Sequence, residues 1–189
     1  MKALWITTLL LACLLPNAAR AEQTPEDVGR AYKEAINARG MAAMTDFIHP
    51  EELQRFKSMF APLLTEEQTE SSAALLHIYF GEDASVESVR EMPAGTFMAR
   101  IMKFAESQMG GAAVRIEDQQ FLGSVNEGAL VHMVTRNTVS IGAIRLTKME
   151  VVSMRPYGDS WRMLLSGDVE GMAKAIRARF EKGTAEKLK

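Results

Sequence analysis

The chain is expected to be an α+β protein in which amino-terminal helices pack on an antiparallel sheet of about four strands, followed by one more helix. Three observations predict this. Apolar residues recur with a period near 3.6 up to about residue 109 and with a period near 2 from Val114 onward. Turn signals then fall at short intervals, which suits consecutive hairpins rather than crossovers. A last 3.6-period stretch begins near Asp168.

Each element has its local chemistry. Thr24-Pro25-Glu26-Asp27 starts a helix with a capping hydroxyl, a proline whose missing N–H costs nothing there, and acids at the positive end of the helix dipole. Val28, Ala31, Tyr32, Ala35 and Ile36 form its apolar face and Gly40 its stop. A short second helix sets Met41, Met44, Phe47 and Ile48 on one side before Pro50 breaks it. Pro50 opens a third, whose stripe runs Phe56, Met59, Phe60, Leu63 and Leu64. Thr65-Glu66-Glu67-Gln68 is a capping box for a fourth, running towards Tyr79 and stopped by Gly81. After a turn at Val86 to Arg90, Phe97, Ile101, Phe104 and Ala105 define another helix, ended by Gly110-Gly111.

Val114, Ile116, Asp118, Gln120 and Leu122 then alternate with Arg115, Glu117, Gln119 and Phe121 in a first strand. Ser124 to Gly128 reads as the turn into a second strand, Ala129 to Val139, and Gly142 as the turn into a third, Ile144 to Arg155. Pro156-Tyr157-Gly158-Asp159 precedes a fourth, Trp161 to Ser166. Asp168 is the expected cap of the closing helix, with Met172, Ala175, Ile176 and Phe180 on its apolar side.

Residues 1–21 have the form of a cleaved signal peptide: Lys2, an apolar run from Ala3 to Leu15, and the small-x-small site Ala19-Arg20-Ala21. The apolar run falls short of the ~20 residues that span a bilayer, so no transmembrane segment is expected, and the destination is periplasmic or secreted. Leu10-Leu11-Ala12-Cys13 offers a rival lipoprotein site, but Leu11 is bulky for its place and a better cleavage site follows. Cys13 is the only cysteine, so processing after Ala21 would leave none for disulfides or thiolate metal sites. It would also leave 20 Lys+Arg against 24 Asp+Glu, a formal charge of −4 that gives no footprint for nucleic acid. Residues 22–182 suffice for one domain with one core, and 183–189 form a charged tail.

Two stretches carry a resemblance. Val28 to Met41, continuing through Met44 to His49-Pro50, resembles the opening helix, tight turn and short helix of the nuclear transport factor 2-like superfamily. Gly158-Asp159-Ser160-Trp161-Arg162-Met163 resembles its last strand. The resemblance implies a cystatin-like cone, a strongly curved sheet wrapped about a helix, with residues 63–109 as a helical insertion and the closing helix as an addition. It identifies a fold better than a function, since the superfamily holds isomerases, dehydratases, cyclases and non-catalytic adaptors. Homodimerisation through the sheet is expected from it and from the commonness of two-fold assemblies.

The resemblance to ketosteroid isomerases makes Asp118 a candidate proton acceptor and Tyr32 a candidate oxyanion donor, because a carboxyl and a phenol in unlike environments can divide acid and base roles. Tyr32 lies on an apolar helix face, and strict alternation sets Asp118 with Val114, Ile116 and Leu122, so both are candidates to point inward; a β-bulge would instead turn Asp118 to solvent. His132 and Arg136 share a strand face with Leu130 and Val134, a basic pair suited to an acidic ligand if that face is the inner one. Phe97, Phe121, Met133 and Trp161 are candidate apolar contacts for a ligand. Asp46 and His49 lie three apart, but a metal needs more ligands, and neither a metal nor a cofactor is called for. Most of the methionines fall at core positions, where a flexible thioether fills irregular space. The chain has no Gly-rich phosphate loop, Gly-x-Ser-x-Gly elbow or His-Glu-x-x-His helix.

The functional expectation is therefore a non-catalytic exported domain that binds a small hydrophobic or weakly acidic ligand in a cavity, or assembles through its sheet. An acid/base enzyme of isomerase, dehydratase or cyclase type is the alternative, and a subunit of an envelope complex recognised through the inserted helices is a third.

Overall fold

The computed structural model describes residues 23–64, 70–109 and 113–185. The expectations over 1–21, at the Thr65 capping box, at Gly110-Gly111 and beyond 185 lie outside the described residues.

Helix α1 spans Pro25–Arg39, as its local signals predict. The Thr24 hydroxyl accepts from the Asp27 N–H at 3.2 Å and the Asp27 carboxylate accepts from the Thr24 N–H at 3.0 Å, so each end of the box satisfies a donor the helix cannot. Gly40 closes the helix with φ +78°, a left-handed conformation that side chains avoid. The Thr24 hydroxyl also donates to the Asp27 carboxylate at 2.7 Å, and this bond, with that from Arg30 at 2.7 Å and the Thr24 N–H, holds the Asp27 carboxyl down at about 2 instead of 3.8. A folded pKa below the unfolded one stabilises above pH 3.8, and that contribution fades as pH falls towards about 2. NMR titration should therefore place the Asp27 midpoint near 2, and Thr24→Ala should move it up towards 3.8; an unchanged midpoint in the variant would show that the cap does not set it.

A 3₁₀ segment, Met41–Asp46, follows where a second helix is expected, and α2 runs Pro50–Ser58. The stripe expected to continue to Leu64 breaks after Ser58 and resumes as a 3₁₀ turn, Ala61–Leu63. Pro62 is the cause: it has no N–H, and its ring would clash with the carbonyl four residues back, that of Ser58. His49, which is buried, caps the start of α2 by accepting from the Glu51 N–H. Helices α3 (Glu70–Phe80), α4 (Val86–Glu91) and α5 (Ala94–Ser107) come next, α4 standing where only a turn is expected. Ser85 and Ser88 cap it reciprocally, through bonds of 3.1 and 2.9 Å.

Strands β1 (Val114–Glu127), β2 (Leu130–Ile141), β3 (Ile144–Tyr157) and β4 (Ser160–Met163) form one open antiparallel sheet in the order β1-β2-β3-β4. Pairing of Glu127 with Leu130, Ile141 with Ile144 and Tyr157 with Ser160 leaves two residues in each hairpin loop. The first of each pair is Gly128, Gly142 or Gly158, all at φ +58°, and among the described residues no other residue type has positive φ, which makes these type II′ turns matched to the strand twist. Residues 124–127, expected to turn, are thus the end of β1. Strand β4 stops at Met163, three residues short of expectation, and α6 spans Gly167–Ala185. Asp168 is not its cap: the Ser166 hydroxyl accepts from the Val169 N–H, while Asp168 pairs with Lys148 at 3.3 Å.

Most of the helices bury their apolar faces in one large cluster, while Ala35 and Ile36 of α1 join Ala43 and Ile116 in a smaller one. Phe56, Phe97, Leu76, Ile101 and Met98 are almost wholly excluded from water, and Met133, Met154 and Met163 bring the sheet into the same cluster. Residues 47–49 add a short bridge to β4, in which the Met163 N–H donates to the Phe47 carbonyl at 2.7 Å and the Met163 carbonyl accepts from the His49 N–H at 2.9 Å. Among the described residues no helix is long and apolar enough to cross a membrane.

Candidate functional site

One face of the sheet, α1, the segment around Met44 to Ile48 and the start of α6 enclose a cavity of about 360 Å³. Register decides which side chains line it. Met133 pairs with Val152, Thr135 with Glu150 and Asn137 with Lys148, and paired residues share a face, so this row supplies the sheet wall. Gly29 and Tyr32 supply the helix wall, and the absence of a side chain at Gly29 lets β1 come close: a Cβ there would lie 2.9 Å from the Phe121 ring.

The lining divides in two. Met44, Ile48, Met133, Val152, Met163 and Leu165 make an apolar part. Gln119, Thr135, Asn137, Glu150 and Tyr32 make a polar part. Thr135 and Asn137 are buried. The Asn137 amide donates to the Glu150 carboxylate at 2.6 Å and to the Thr135 hydroxyl at 3.2 Å, while its Oδ1 and the Gln119 Oε1 are buried acceptors with no hydrogen-bond partner. Glu150 also meets Lys148 at 2.5 Å, and Lys148 reaches Asp168 at the surface. Burial, with the Glu150 carboxylate adding its charge, pushes the Tyr32 phenol up to about 12, so it stays a neutral O–H donor at any ordinary pH. Its ring is held edge-on against Phe47, with centroids 5.6 Å apart.

The residues singled out from the sequence scatter. Tyr32 and Met133 line the cavity. Phe121 seals its edge against Gly29, with Arg30 lying 5.7 Å above the ring. Phe97 lies in the helical core, packed on Phe60 and Phe80, and Trp161 lines a separate hollow with Pro25 and Pro156.

Asp118, His132 and Arg136 take the opposite face of the sheet, the outward of the two placements open to them from the sequence. Strand β1 has a bulge between Ile116 and Asp118, so two residues oppose one and the alternation reverses: Ile116 is buried, Asp118 is exposed, and Gln119 turns inward. Side chains on α1 hold this bulge. Asn37 donates to the Ile116 carbonyl at 3.0 Å and accepts from its N–H at 2.8 Å, as a neighbouring strand would, and Lys33 donates to the Glu117 carbonyl at 3.0 Å. On the far face Gln120 donates to Asp118 at 3.1 Å and accepts from Arg136 at 3.4 Å. His132 there lies between Glu127 at 2.9 Å and Ser153 at 2.8 Å. Asp46 pairs with Arg39 at 2.8 Å, away from His49, and no cluster of three metal-ligating side chains occurs among the described residues.

Sequence reasoning missed Gln119, Thr135, Asn137 and Glu150. The available signal was the polar row Thr135 and Asn137 continuing from Met133 with a period of two, which competes on equal terms with His132 and Arg136 until the inner face is known. No protein-family model matches the chain, and neither a curated protein nor a solved structure matches it.

Proposed function

We propose that this is an exported, non-catalytic binding protein, built on a nuclear transport factor 2-like plan, that holds a small hydrophobic ligand between its sheet and α1. The observation that carries this reading is the cavity itself: about 360 Å³, with an apolar wall of Met44, Ile48, Met133 and Val152 and a few polar groups gathered in one part, the usual make-up of a small-molecule site. At ~30 Å³ per atom-sized volume it has room for about a dozen non-hydrogen atoms. The flexible side chains of Met44, Met133 and Met163 suit a wall that adjusts to its occupant. The acid/base alternative is weakened, because Asp118 and Tyr32 lie on opposite sides of the sheet.

Native mass spectrometry of the protein purified gently from its own source should show an additional small-molecule mass. Val152→Trp, which projects a large ring into the cavity, should weaken binding of an apolar fluorescent dye by about tenfold or more. Unimpaired binding to a folded variant would place the ligand elsewhere.

Assembly through the sheet is supported by a separate observation. Leu122, Val125, Met149 and Val151 are 44, 63, 62 and 61% exposed on the sheet. Met149 and Val151 pair with Arg136 and Val134, in the row that alternates with Met133, Thr135 and Asn137, so their side chains take the other face although their segment of β3 borders the cavity. We propose a homodimer through that face, and the same native spectrum reads its mass.

A further inference from the structure

We infer that the ligand is an extended peptide segment, which adds to the open edge of β3 and sets one apolar side chain into the cavity. The inference rests on the cavity reading above and names the class of ligand.

The edges of an open sheet carry unpaired backbone groups, and most of them are guarded here. Strand β1 is bulged twice, and Asn37 and Lys33 bond to its main chain at Ile116 and Glu117. Residues 47–49 bridge to the free side of β4. Strand β4 itself covers β3 only from Met154 to Tyr157, and after one more bond, from the Leu164 N–H to the Ser153 carbonyl at 2.8 Å, the chain leaves this edge for α6. The rest of the β3 edge is regular, since residues 144–154 pair with β2 without a bulge. Backbone groups alternate in direction along a strand, and those of Ser153 point to the β4 side, so those of Val151 and Met149 point there too. No main-chain bond from another element of the described residues reaches them.

The cavity opens where β4 ends. Its exposed lining residues are Lys148, Met149 and Val151 on one side and Ser166, Gly167 and Asp168 on the other, which locates the mouth between the β3 edge and the start of α6. Met149 and Val151 direct their side chains to the other face, so their main chain is what borders the mouth. A strand added there continues the sheet from the point where β4 leaves it. Running antiparallel to β3, it would exchange paired bonds with Val151 and Met149, and its residue opposite Glu150 would share the cavity face. The cavity holds about a dozen non-hydrogen atoms, room for one large side chain, and the buried Ile48, Met133 and Met163 in its wall favour an apolar one. Lys148 and Asp168 meet across the mouth at 3.3 Å, an exposed pair that contributes little and can part.

The test is titration of the purified protein with the blocked peptide acetyl-Val-Leu-Val-amide, followed by NMR and by competition with an environment-sensitive apolar dye. The peptide should displace the dye, and the Met149 and Val151 amides should gain protection from hydrogen exchange. Methylating the nitrogens of its first and third residues, which removes the edge-facing donors and keeps the side chains, should weaken binding at least about tenfold. Val151→Pro, which removes an edge N–H that the ladder with β2 does not use, should weaken it similarly, with thermal melting to verify the fold. Equal binding of the methylated peptide, or dye binding that the peptide leaves unchanged, overturns the inference and leaves the cavity reading standing. Failure of the dye and both peptides to bind removes the cavity reading and this inference with it.

Discussion

Replacing Phe97 by alanine should destabilise the protein by about 3–5 kcal/mol, the range for removing a fully buried aromatic ring when the surroundings relax only in part. Phe97 is wholly buried and is the ring that joins the others: its centroid lies 6.2 Å from Phe56, 5.2 Å from Phe60 and 4.9 Å from Phe80. These partners come from α2, the residues just after it, and α3, so the cavity left by alanine would open at the meeting point of three helical segments. No single neighbour can swing in to fill it without leaving its own partners. At roughly 2–4 °C per kcal/mol for a chain of this size, the melting temperature should fall by about 10 °C. Ile78→Ala is the matched control, since that side chain is 53% exposed and its loss should cost within about 0.5 kcal/mol. Similar melting temperatures for the two variants would mean that the aromatic cluster is not the centre of stability.

Asn37→Ala should cost about 2 kcal/mol, although alanine is the better helix former. The propensity gain in the interior of α1 is only about 0.5 kcal/mol. Against it stand two lost hydrogen bonds, to the carbonyl and from the N–H of Ile116, in a half-buried place where unsatisfied backbone groups cost about 1–3 kcal/mol. Asn37→Asp separates the two, because it keeps the acceptor for the Ile116 N–H and loses the donor, so an intermediate loss is expected. Hydrogen exchange reports the local effect: the Ile116 amide should lose protection in the alanine variant well before the amides of β2. If that amide stays protected, the bulge is held by the sheet alone and α1 has no part in setting which residues of β1 face the cavity.

This second variant bears on function as well as stability. The bulge sends Asp118 to the outer face and Gln119 to the inner one, and Gln119 is part of the polar lining of the cavity. Loosening it should therefore disturb the cavity wall through a residue that does not itself line the cavity.

Much of the fold was legible in the sequence because the signals are local. Thr24, Pro25 and Gly40 act within one turn of the residues they delimit, so α1 could be bounded before any packing was known. The change from a 3.6 to a 2 period marks the sheet, and the glycines of the three two-residue loops mark its hairpins, since a positive φ is a property of the residue itself. Tyr32 was legible for the same reason, since it lies on the apolar face of α1, which its own helical period marks.

The remainder of the site was decided by tertiary structure. Side-chain alternation along a strand says that neighbours point to opposite faces and cannot say which face is covered. In β1 that choice is made by Asn37 and Lys33, at separations of 79 and 84 residues along the chain. In β2 it is made by α1 and the Met44 to Ile48 segment settling over Met133, Thr135 and Asn137 instead of over His132 and Arg136. The sequence by itself determined the elements and their order, because caps, turns and periods are written in adjacent residues. Only the folded chain decided the inner face, because that depends on contacts between residues far apart, and with it that Thr135 and Asn137, not His132 and Arg136, share the face of Met133.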